Sequence, residues 1–315
     1  MSDQDTYREL KQLAQRVTKV FMVATPEELL EPLRQIAATE NEWKTLVLSA
    51  LSGLESVMHA ASLPYQLTCD AVLARRFQAF HSAERIRGLK EVSTGEGLSP
   101  DQEAHAYDRA QHKMKTFIKS DTGSDEIRNT ILNDLSHHMD FEPVSVGASE
   151  LIVQSLVSTW GVFETFAGSF IIQWLNGHPA SAKSLVTCKD LKNYFSKPVI
   201  EIDAIDQHGF DLTHAMGSVL FDGKKLNNLA ILKTILGELF SDPSLQSGLA
   251  KLWSLNQKRH LFVHKRGIVD KNFIENTGQN ATIGTRLVVD CDDLEQHIID
   301  VQNAILLTLT AANII

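Results

Sequence analysis

The sequence predicts an all-α protein, and three observations carry that expectation. Helix starts recur along the chain as a capping residue followed by proline: Thr25-Pro26-Glu27-Glu28, Ser99-Pro100-Asp101-Gln102 and Asp242-Pro243. The cap's side-chain oxygen accepts a backbone N–H that the helix leaves unpartnered, and proline in the first turn gives up a donor the helix does not need. Apolar residues recur at helical spacing, as in Leu226, Leu229, Leu232, Ile235, Leu236 and Leu239. Only two stretches, 197–204 and 283–289, have strand character.

Taken in order, helices are expected at about 5–22, 26–38, 41–60, 66–94, 100–118 and 125–139, the last leading up to Pro143. Thr39-Glu40-Asn41-Glu42 has the spacing of a capping box. DFEPVSVGAS reads as a short linker and sets a boundary near 143–147. It separates an N-terminal helical region, 1–142, from a C-terminal helical domain, 148–315. The most apolar run, SELIVQSLVSTWGVFETFAGSFIIQWLN, is a helix stopped by Gly177 with Pro179 just beyond. Helices at 225–240 and 243–264 come next. A final one, about 291–312, is capped by Asp290 with Asp292 and Asp293 in its first turn.

Composition narrows the function classes. The 315 residues are 43% hydrophobic and 22% charged, enough for one large domain or two medium ones. A net charge of −9 argues against coating nucleic acid by bulk electrostatics, so any such chemistry must sit in a local cleft. No uninterrupted apolar run approaches the roughly 18–20 residues of a membrane span. The start, MSDQDTYRELKQLAQR, is unlike a secretory signal. Cys69, Cys188 and Cys291 are too scattered for a metal knuckle or a disulfide framework. A reducing, cytoplasmic setting without membrane attachment is expected.

The segment that asks for chemistry is RHLFVH, Arg259 to His264, continuing at once into KRGIVDKNFI. A basic helix end with a glycine stop needs no function. A phosphate-handling site would use the same residues differently. His260 and His264, four apart, share a helix face. Arg259 and His264, five apart, differ by about 140° and about 7.5 Å along the axis, so one helix does not press both onto one small atom. A distorted last turn could still flank a phosphodiester, and two such helices across a two-fold axis would do it better. Arginine offers a planar fork of donors and imidazole can give or take a proton near neutral pH. Lys265 and Arg266 add positive potential at the mouth.

RHLFVHKRGIVDKNFI resembles the signature of the HEPN superfamily, all-α domains that include many RNA-cutting toxins and antiviral factors. Its pattern is an arginine, a polar residue, a few mainly apolar residues and a histidine, often before a glycine-containing turn. Arg259, His260 and His264 match these positions. GIVDKNFIENTG, IGTRLVVD and a last helix are also similar to the region downstream of the motif in larger members. The resemblance covers about 148–315, and residues 1–140 carry none. It implies a metal-independent endoribonuclease with no cofactor, acting on RNA through its 2′-OH. His264 would be general acid or base, Arg259 would stabilise phosphoryl charge and His260 would position the substrate or move a proton. It further implies a homodimer, a toxin or anti-phage role, and an antitoxin or defence-system partner. Family members often carry a buried acid on the long apolar helix before the motif. Glu164, alone in WGVFETF, occupies that place and is expected to pair with and orient Arg259. The rival expectation is a non-catalytic helical module whose basic helix end binds a protein partner or a nucleotide.

Other stretches read first as structure. SHHMDFE places His137, His138, Asp140 and Glu142 close together, but adjacent helical histidines point about 100° apart and do not grip one metal unaided. LARRFQAFHSAERIRGLK carries Arg75, Arg76, Arg85, Arg87 and Lys90 against only Glu84. It could track a nucleic-acid backbone with Phe77, Phe80 or His81 stacking, or turn its aromatics to a core. Ser155, Ser158, Gly161 and Gly168 permit close helix contact. No phosphate-cradling loop of the Walker type and no Gly-x-Ser-x-Gly elbow occurs.

Overall fold

The structure, a computed structural model, describes residues 3–91, 97–195, 200 and 202–315. Of the described residues 77% are helical, and they form fourteen α-helices and no strand. The first seven are α1 (Asp3–Val20), α2 (Pro26–Leu29), α3 (Glu31–Ala37), α4 (Lys44–Glu91), α5 (Pro100–Lys119), α6 (Asp121–Asp140) and α7 (Glu142–Gly177). The rest are α8 (Ala182–Thr187), α9 (Ile202–Asp206), α10 (Met216–Leu220), α11 (Leu229–Phe240), α12 (Pro243–Lys265), α13 (Lys271–Thr277) and α14 (Cys291–Ala311).

Several boundaries differ from expectation for identifiable reasons. The helix expected over 26–38 is two, broken at Leu30 with Pro32 in the first turn of α3. The helices expected at 41–60 and 66–94 are one, since α4 runs through Pro64. An interior proline costs about 3 kcal/mol in a helix. Side chains bind the turns around it: Thr68 Oγ1 donates to the Pro64 carbonyl at 2.9 Å and Gln66 Nε2 to Ser62 Oγ at 2.7 Å. The expected box at Thr39 does not form, because Thr39 Oγ1 donates back to Gln35 O and α4 begins only at Lys44. At Ser99 the box is complete. The expected linker at 143–147 lies inside α7, where Pro143 starts a helix rather than stopping one. Of the strand candidates, 197–199 and 201 lie outside the described residues and 202–206 is helical. The stretch 283–289 makes one isolated bridge, Ile268 to Arg286.

The chain divides into two compact units, Met1–Val23 with Ala61–Glu150, and Ala24–Ala60 with Leu151–Ile315. The division falls within α4 and α7 and assigns 24–60 to the C-terminal unit. In the first unit, Val17, Phe21, Val72, Ile131, Leu135 and Ala148 form a core, with α6 packed on both α1 and α5. The basic stretch of α4 is answered by acids of α5 and α6: Arg75 pairs with Asp134, Arg76 with Glu126 and Arg85 with Glu103. Phe77 meets Tyr107 and Phe80 meets Phe117 edge-on. Glu84, 1% exposed, is held by Lys113 and by Arg109 at 2.8 Å, and these two cations keep its carboxyl below the usual carboxylate range. These charges serve the unit's own packing.

The second unit centres on large side chains of α7, namely Trp160, Phe163, Phe166 and Phe170, all fully buried. Trp43 meets Phe170 at a tilt and Trp174 meets Phe240 edge-on, each at 4.9 Å between ring centres. α12 lies along α14 and also contacts α11 and α13. Gly248 permits that approach, since a Cβ there would stand 2.5 Å from Leu307 Cδ1. Leu252, Leu255, Lys258, Leu261 and Phe262 form the buried side of α12, and Asp242 caps its start by accepting the Leu245 N–H at 2.9 Å. Parts of α4 and α7 are long and apolar enough, by length and composition, to cross a membrane, although polar residues interrupt each run. Within those stretches 44% and 50% is buried inside the protein.

Candidate functional site

The site is shaped by how α12 ends. Arg266 and Gly267 both take positive φ, 54° and 79°, and both N–H groups donate to the Leu261 carbonyl. Glycine is required at 267, where a Cβ would lie 2.7 Å from the Phe262 ring. The chain then doubles back: Leu287 N donates to Gly267 O at 2.8 Å and Val269 N to Thr285 O at 2.9 Å. Asp270 caps α13 by accepting the Phe273 N–H at 2.9 Å. Between the last turns of α12, the residues before α11 and the start of α13 lies a polar cavity of about 410 Å³.

Arg259, His260, Lys265 and Asp270 stand on its wall. Lys265 Nζ is 3.5 Å from Asp270 Oδ2. The Phe273 N–H first, with Lys265 and His260 adding to it, holds the Asp270 carboxyl below its ordinary range. Arg259 is half-buried and has no ion-pair partner among the described residues. His264 is exposed, and its ring centre is 4.7 Å from that of His260. It therefore adjoins the cavity through His260 and is not part of the wall. Arg266 is exposed and also off the wall.

Glu164 is a correction. Its Oε2 accepts the Trp160 Nε1–H at 2.8 Å, and no ion pair joins it to Arg259. The indole lies one turn away on the same helix face, and the carboxylate is only partly buried, so no cation is demanded.

Sequence reasoning missed three things. Asp270, a site residue on the cavity wall, shows in the sequence only as a cap three residues before Phe273. The amides lining the cavity, among them Asn227, Asn256 and Asn272, come from separate segments and leave no local motif. The third is a buried polar network between α12 and α14. Lys258, 2% exposed, donates to Asp293 Oδ2 at 2.6 Å and lies 3.3 Å from His297 Nε2. Burial, then the Lys258 charge, pushes the His297 imidazole down to about 4. Its Nδ1 has no hydrogen-bond partner among the described residues, with Asp300 Oδ2 at 4.0 Å, and burial raises the Asp300 carboxyl. A cation at the centre of an apolar helix face was the available signal.

Elsewhere, the His137 and His138 rings are 6.5 Å apart, and no three His, Cys, Asp or Glu side chains among the described residues converge as a metal site. Ser155 Oγ donates to Val57 O at 3.5 Å, an internal packing contact. Comparison with known proteins finds no matching family model, no similar curated protein and no similar solved structure.

Proposed function

We propose that the chain is a HEPN-like, metal-independent endoribonuclease. The observation that supports this best is an arginine without an ion pair and an imidazole on the wall of one polar cavity, Arg259 and His260, with the His264 ring against that of His260 just outside it. One imidazole takes the proton of the RNA 2′-OH as its oxygen attacks the adjacent phosphorus. The P–O5′ bond breaks, and the other imidazole protonates the leaving oxygen. Arg259 and Lys265 hold the phosphoryl oxygens as charge grows on them, and Arg266 adds to the field at the mouth. The products are a 2′,3′-cyclic phosphate and a 5′-hydroxyl. Glu164, bonded to Trp160, has no part in this scheme. Asp270 is the one carboxylate on the wall, so a two-metal mechanism lacks a ligand set there. The proposed setting is a cytoplasmic toxin or anti-phage effector, a homodimer restrained by an antitoxin or defence-system partner. The free thiols Cys69, Cys188 and Cys291 suit a reducing compartment.

Labelled RNA incubated with the purified protein tests the scheme. Cleavage should survive EDTA and leave DNA untouched. His260→Ala and His264→Ala should each lower the rate about 10²-fold or more. Dependence on Mg²⁺, cleavage of single-stranded DNA, or full activity in both variants would overturn it. A second reading, a non-catalytic module that binds a nucleotide or a protein, is favoured by the position of His264 off the wall. It predicts that no RNA is cut under any of these conditions.

A further inference from the structure

We propose that the amide-lined side of the same cavity is a nucleobase subsite, taking one unpaired base while Arg259 and Lys265 hold its phosphate; this deepens the ribonuclease proposal and rests on it. The cavity's amides fall into two kinds. Asn228 Oδ1 is engaged by the Ala230 and Ile231 N–H groups at the start of α11. Asn276 Nδ2 donates to Gln257 Oε1 at 3.4 Å. These support the fold. Asn227, Asn256 and Asn272 line the cavity with side chains that make no hydrogen bond among the described residues. Each offers two N–H donors and a carbonyl acceptor that the protein does not use.

Neutral amides hold phosphate less strongly than cations do, because they bring no charge, and they are poor partners for an apolar peptide. They fit a base edge, where a donor and an acceptor stand side by side, and an amide can meet both at once. The cations Arg259 and Lys265 on the wall supply what the phosphate needs. A volume of about 410 Å³ accommodates a nucleotide but no duplex, and an unstacked base on a single strand is what proteins read in RNA. The ligand is a nucleotide unit, borne by an RNA strand or free.

The test measures binding rather than cleavage. Fluorescently labelled 2′-O-methyl hexamers of each base, which lack the attacking hydroxyl, are titrated against an abasic hexamer of the same backbone. The wild type should bind at least one base-bearing strand about tenfold more tightly than the abasic one. The combined variant Asn227→Ala, Asn256→Ala, Asn272→Ala should lose that margin and keep abasic binding, whereas Arg259→Ala should weaken both. Asn227 and Asn272 are exposed and Asn256 is part-exposed, so the fold should tolerate the changes, and the single Asn272→Ala variant should already narrow the margin. Competition by a free nucleoside monophosphate would assign the subsite to free nucleotides as well. Its absence, with the margin kept, would assign the subsite to the strand. Equal wild-type binding to base-bearing and abasic strands, or an undiminished margin in the combined variant, would overturn the proposal. A margin without RNA cleavage removes the ribonuclease scheme and leaves the subsite; cleavage without a margin does the reverse.

Discussion

Lys258 and Arg259 are neighbours in sequence with opposite fates. One residue turns a helix by about 100°, enough to send Lys258 into the α14 interface and Arg259 to the cavity wall. The cost of burying the ammonium is offset by Asp293 and by a neutral His297. That neutrality has a consequence for stability. Above about pH 6.5 the imidazole is uncharged in both folded and unfolded chains and contributes no pH dependence. Below it the unfolded chain takes up the proton, while the folded chain resists until about pH 4. Stability should therefore fall across that window by about 3 kcal/mol. Asp300, raised by burial, takes up its proton early in the folded state and opposes part of the loss. Asp293 and Lys258 are the other charges facing the ring. Urea midpoints measured from pH 7 to pH 4 should drop less steeply in His297→Gln than in wild type. An identical slope in both would show that His297 carries none of the effect.

At the scale of elements, some caps were legible and interruptions were not. Ser99, Asp242 and Asp290 each cap a helix through a bond to a nearby N–H, a local event that a local pattern encodes, whereas Thr25 makes no side-chain cap bond, the Thr39 box does not form, and the Asn228 cap went unread. Pro64 and Pro143 look alike in sequence, yet one lies deep inside α4 and the other opens α7. Tertiary packing decides between those outcomes. The Arg259–His260–His264 cluster was visible because it lies within one helix. The proposed Glu164–Arg259 pair failed because it required two helices to meet at those residues. The end of α12 gives a test at this scale. Gly267→Ala would force an L side chain to a φ of 79° and set its Cβ against the Phe262 ring. A loss of about 1–3 kcal/mol is expected in chemical denaturation, with a lower rate on RNA because Lys265 and Asp270 flank the turn. Unchanged stability would mean that the turn re-forms without the left-handed residue.

At the scale of the whole molecule, the question is whether one chain completes the site. Only one imidazole, His260, stands on the cavity wall, and His264 is exposed beside it. Exposed apolar side chains occur next to this segment: Val263 at 47%, Ile268 at 43% and Val288 at 84%. Single exposed apolar residues are ordinary on a protein surface. Here Val263 precedes His264 in the chain, and the Leu287 N–H bond to Gly267 O draws the 287–288 stretch to the end of α12. A two-fold axis passing here would cover these residues and bring the two His264 side chains toward one groove. Analytical ultracentrifugation should then report twice the 35.1 kDa chain mass. Val288→Asp should shift the protein to monomer and abolish cleavage. Nucleotide binding should persist in that variant, because Asn256, Asn272 and Arg259 belong to a single chain's wall. A wild-type monomer that cleaves RNA would show that one chain suffices, and would place both proton transfers on the touching pair His260 and His264.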